Sequence, residues 1–69
     1  MVEIFKTNVE DSTQADKIVH LLNQQFPSYS INFDLHDCDK ILRILGNDIP
    51  INDIERFVME MGFHCSVLV

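Results

Sequence analysis

A chain of 69 residues with 11 acidic and 5 basic side chains, net charge −6, is poorly suited to nucleic acid or to anionic membranes. An acidic surface gains neither counterion release nor Coulomb attraction from them. The length allows one domain, residues 1–69, burying roughly 60% of its unfolded surface, and 46% hydrophobic residues favour a core over disorder.

No apolar run approaches a membrane span. Met1-Val2-Glu3-Ile4-Phe5-Lys6 lacks the charged start and long apolar stretch of a signal peptide. Cys38 and Cys65 are too few for a disulfide scaffold, which points to a reducing, cytoplasmic setting.

Val2 to Val9 reads as a first strand. Phe5, Thr7 and Val9 alternate with Ile4, Lys6 and Asn8. Asp11 and Gln14 then have capping-box spacing: the carboxylate can accept a backbone N–H of the first turn, and the amide can reach back. Ala15, Ile18, Leu22 and Phe26 give one apolar helical stripe, and Pro27 stops the helix. Tyr29, Ile31, Phe33 and Leu35 alternate strictly with Ser30, Asn32, Asp34 and His36, a second strand.

The polar run His36-Asp37-Cys38-Asp39 turns the chain, and Lys40 to Leu45 returns as the third strand. Gly46-Asn47-Asp48 is a further turn. A second helix begins near Asn52, with Asn52 and Glu55 as a second capping box. Its stripe is Ile54, Phe57, Val58 and Met61, and Gly62 ends it in the left-handed conformation. His64 to Val69 is a last strand.

The order β-α-β-β-α-β predicts an α+β, ferredoxin-like sandwich. Its antiparallel sheet runs 4-1-3-2, with both helices on one face. Phe5, Val9, Ile31, Phe33, Leu42, Ile44 and Val67 of the strand segments would meet Ile18, Leu22, Ile54, Phe57, Val58 and Met61 of the helices.

Several segments, at matching spacings, resemble the heavy-metal-associated domain of copper chaperones and metal transporters. They are Phe5-Lys6-Thr7-Asn8-Val9 before the first loop, Asp34 closing the second strand, Asp39-Lys40-Ile41-Leu42-Arg43-Ile44, and Gly62-Phe63. The resemblance covers nearly the whole chain and implies the same fold. That family grips Cu(I) or another soft metal with M-x-C-x-x-C in the first loop. Here the methionine position falls on Val9 and the cysteine positions on Asp11 and Gln14. Neither a carboxylate nor a neutral amide is a soft ligand, so the transferred chelate is missing and a capping box stands in its place.

In this fold the first loop, the central hairpin turn and the loop before the last strand share one end. That end gathers Asp11, His36, Asp37, Cys38, Asp39, His64 and Cys65. A relocated Cys/His transition-metal site would draw on Asp11, His36, Cys38 and His64. The plainer alternative is an exposed turn with Cys65 packed in the core as a small hydrophobe. Asp34, Asp37 and Asp39 lack the Gly and Glu positions of a calcium loop. Cys38 lies between two aspartates, not beside the cations that activate a thiol, and no catalytic triad or phosphate loop is present, so no enzyme is expected. His20 reads as a surface histidine.

The sheet face away from the helices would show Ile4, Ile41, Leu45 and Leu68, with Arg43, Lys6 and Asp34 among them. Such a face suits a protein partner or a homodimer, although scattered surface aliphatics are also ordinary. The expectation is a non-enzymatic interaction module without a cofactor. The alternative is a metal-binding or chaperone-like protein with a weak, relocated site.

Overall fold

In the computed structural model, which describes residues 1–68, the elements follow the predicted order. They are β1 (Val2–Thr7), α1 (Ser12–Gln25), β2 (Ser30–Asp34), β3 (Ile41–Leu45), α2 (Ile51–Glu60) and β4 (Cys65–Val67). The antiparallel sheet has the order β2-β3-β1-β4, which is 4-1-3-2 read from the other edge. The fold is the α+β ferredoxin-like sandwich.

Strand ends fall inside the predicted ones for local reasons. The Thr7 hydroxyl accepts the Val9 N–H at 3.2 Å, and this bond two residues on peels the chain off β1. Asp34 Oδ1 accepts the His36 N–H at 3.2 Å and closes β2 in the same manner. Of the predicted final strand, Cys65–Val67 is strand, and Val69 lies outside the described residues.

Register fixes which side chains share a face. Phe5 stands opposite Leu42 and Val67, and Leu42 opposite Phe33, while Ile44 pairs with Glu3 and Ile31. These positions turn toward the helices, where Phe5, Leu42 and Ile44 meet Ile18, Leu22, Ile54 and Val58, all fully buried. Phe33, Phe57, Met61 and Val67 are half-buried and pack around this centre rather than within it. Ala15, Cys65 and Thr7 are buried in addition. The rings of Phe26 and Phe57 meet edge to face at 5.9 Å between centroids, joining the two helices.

Half of the first predicted box forms: Asp11 Oδ1 accepts the Gln14 N–H at 2.8 Å, while the Gln14 side chain returns no bond to Asp11 among the described residues. The second does not. Pro50 occupies the N-cap of α2, and no side chain caps it. Glu55 instead accepts the Val67 N–H at 2.9 Å. Leu68 N–H bonds the Ile4 carbonyl at 2.8 Å, so the neighbouring Val67 N–H points away from β1, toward the open edge. Glu55 thereby satisfies a donor that an edge strand leaves unpaired. Gly46 is demanded by sterics, since a Cβ there would run into the Tyr29 ring. The Tyr29 hydroxyl donates to the Asp48 carbonyl at 2.9 Å, strapping the turn after β3.

Candidate functional site

The loop end of the sandwich is held together by the residues that finish β1. Thr7 N–H donates to the Asp39 carbonyl at 3.1 Å, and its buried hydroxyl donates to the Lys40 carbonyl. Asn8 Oδ1 accepts the His64 N–H at 2.8 Å. The first loop, the hairpin turn and the loop before β4 are thus joined by backbone and side-chain bonds. Lys40 closes the turn with φ of 48°, a left-handed conformation uncommon for a lysine. Three bonds hold it there: its N–H to Asp37, its carbonyl from Thr7 and its ammonium to the Leu35 carbonyl at 3.1 Å.

The candidate metal ligands separate within this end. Cys38 comes together with Asp37 and Asp39, their donor atoms all within 4.8 Å of one another. Asp11, His36 and His64 join no such group among the described residues. Asp11 is engaged at the start of α1, and Asp37 Oδ1 accepts the Asp39 N–H at 2.9 Å. One thiol beside two carboxylates mixes a soft donor with hard ones and matches no single metal class. At the position where the resembled family chelates its metal, a capping carboxylate and a helical amide do not fit Cu(I).

The adjacent pair His64 and Cys65 divides as a strand must: His64 is exposed and Cys65 is buried opposite Thr7. Burial, aided by the Glu55 charge, pushes the Cys65 thiol from 9.0 up to about 12. It stays protonated at neutral pH and serves as core, not as a thiolate.

The uncovered face of the sheet is the second candidate. Val2 stands opposite Leu45 and Ile4 opposite Arg43, and the Leu68 N–H reaches the Ile4 carbonyl. Val2, Leu45 and Leu68 are 49%, 42% and 41% exposed, with Ile4 half-buried between them. The β2 side of this face is polar, where Arg43 Nη1 donates to Asn32 Oδ1 at 2.9 Å. One predicted member drops out. Ile41 does lie on this face, opposite Asp34, yet only 6% of it is exposed. It sits in a central strand beside the continuation of β1 at Lys6, whose ammonium is drawn to 3.8 Å from Asp39. Val2 takes its place in the accessible patch, and the alternation Val2, Ile4, Lys6 already carried that signal.

No helix of the described residues is long and apolar enough to cross a membrane. Compared with family models, with curated proteins and with solved structures, the chain gives no significant match. The class it belongs to is accordingly defined by architecture: a ferredoxin-like α+β domain with one uncovered sheet face.

Proposed function

We propose that this chain is a non-enzymatic interaction module of heavy-metal-associated type. In this reading it has exchanged the thiolate chelate for a helix cap and acts by association through the open sheet face. The observation that carries the reading is the contiguity of Val2, Ile4, Leu45 and Leu68 on that face, bordered by the Asn32–Arg43 pair. An apolar centre with a polar rim is the anatomy of an association surface. The engaged Asp11 carboxylate and the protonated Cys65 thiol support the loss of soft-metal chemistry and of nucleophilic chemistry. Both cysteines are free, which suits a reducing, cytoplasmic setting.

The simplest partner is a second copy, since one self-complementary patch is enough for a two-fold dimer. Sedimentation velocity across a concentration series tests this. The expected result is a reversible dimer that salt strengthens, because each copy carries a charge of −6. The variant carrying Leu45→Thr and Leu68→Thr should be monomeric at the same concentrations. A wild-type monomer throughout, unchanged by salt, would remove the dimer and leave only a different protein as partner.

A second reading, weak metal binding at the hairpin turn, rests on the convergence of Asp37, Cys38 and Asp39. Calorimetric titration of reduced protein with Zn(II) and Cu(I) separates the two. Binding tighter than micromolar that Cys38→Ser abolishes would favour the metal.

A further inference from the structure

A separate feature lies in the helix layer, away from the uncovered sheet face. A groove of about 440 Å³ runs between α1 and the turn leading to β4, lined by Gln14, Lys17, Ile18, Leu21, Met61 and Phe63. The four α1 residues follow i, i+3, i+4 and i+7 spacing, so a single stripe of the helix forms one wall. Met61 and Phe63 form the other. Gly62 between them has φ of 96°, the left-handed turn that ends α2. Ile18 is the buried floor, while Leu21, Met61 and Phe63 are left half-exposed. The helices meet at Phe26 and Phe57, farther along the pair, and leave the Leu21–Met61 end open. The volume falls within the range of small-ligand sites.

Charge distinguishes this groove from a packing defect. The chain has 11 acidic residues, yet none lines the groove. Lys17 lies at the groove and is the one basic side chain among the described lysines and arginines with no ion pair or hydrogen bond. Lys6 pairs with Asp39 and Arg56 with Asp53, while Lys40 and Arg43 donate to Leu35 and Asn32. An apolar trough with one uncommitted ammonium matches a ligand with an apolar body and one anionic head.

We propose that the groove binds a free medium-chain aliphatic monocarboxylate. The chain lies along Ile18, Leu21, Met61 and Phe63, and the carboxylate pairs with Lys17. Met61 suits such a wall, because its flexible thioether adapts to chains of different length. The Gln14 side-chain amide supplies a second donor on the same stripe. No covalent step is involved.

The test is a titration of the 69-residue chain with sodium decanoate below its micellar threshold, followed by amide chemical shifts. Decan-1-ol and decylammonium are run in parallel. Saturable shifts should be confined to residues 14–21 and 61–63, with decanoate tightest and decylammonium weakest. Shortening the chain to octanoate should weaken binding, by up to about fourfold per methylene removed. Lys17→Gln, at an exposed helical position, keeps the fold and should weaken decanoate by up to about fivefold while leaving decan-1-ol unchanged. Shifts that never saturate, or that centre on Val2, Leu45 and Leu68, would overturn the proposal. So would equal binding of decanoate by wild type and Lys17→Gln.

Discussion

The two faces of the sheet are made by the same strands, and alternate residues of one strand meet opposite fates. On β3, Leu42 and Ile44 are fully buried beneath the helices, whereas Leu45, one residue farther, is 42% exposed. On β1, Phe5 is buried while Val2 is 49% exposed. Residue type does not separate the two sets, since both are aliphatic-rich. What separates them is the helices, which cover one side only. The helix-covered face holds most of the buried core, and among the described residues of the uncovered face only Ile41 is buried.

The largest loss is expected on the covered side. Leu42→Ala removes a fully buried side chain between Phe5 and Phe33 and should cost about 2–5 kcal/mol in a denaturant melt. A small domain has little stability to spare, so partial unfolding at ambient temperature is the expected appearance. The next effect comes from Cys65 on the same face. Its folded-state pKa of about 12 lies above the ordinary 9.0, so folding favours the protonated thiol. Its contribution is complete below about pH 9 and is lost as pH rises toward 12. Stability measured over that window should fall more steeply in wild type than in Cys65→Ala. A thiol reagent at neutral pH should label exposed Cys38 and leave Cys65 unmodified until the chain unfolds.

The smallest effect on stability should come from the uncovered side. Leu45→Thr and Leu68→Thr replace exposed aliphatics and should each shift stability by no more than about 0.5 kcal/mol. The same pair should abolish the proposed dimer. A large stability loss there would mean that the open face is itself part of the core, and the contrast between the faces would collapse.

The loop end shows how far local spacing reaches. Asp11 and Gln14 are three residues apart, and the Asp11 half of the cap they encode forms, since it needs nothing beyond one helical turn. Asn52 and Glu55 have the same spacing, but the helix starts earlier, after Pro50, and Glu55 serves the edge of β4. A bond across twelve residues displaced one across three. The metal candidates divide in the same way. Topology brought three loops to one end, as the strand order required, but that did not converge Asp11, His36 and His64 on Cys38. Sharing an end of a sandwich constrains position to many ångströms, whereas ligation requires about two.

The amino-acid sequence alone determined the element order, the sheet order 4-1-3-2, the cap at Asp11, the left-handed stop at Gly62 and the face each strand residue occupies. These follow from periods of two and 3.6 residues and from short-range hydrogen bonding. Long-range packing set the rest: Ile41 is covered, Thr7 ties β1 to the start of β3, and Lys17 is left without a partner beside a groove. Each of these depends on which side chains from distant parts of the chain arrive together, and no periodicity within a single segment encodes that.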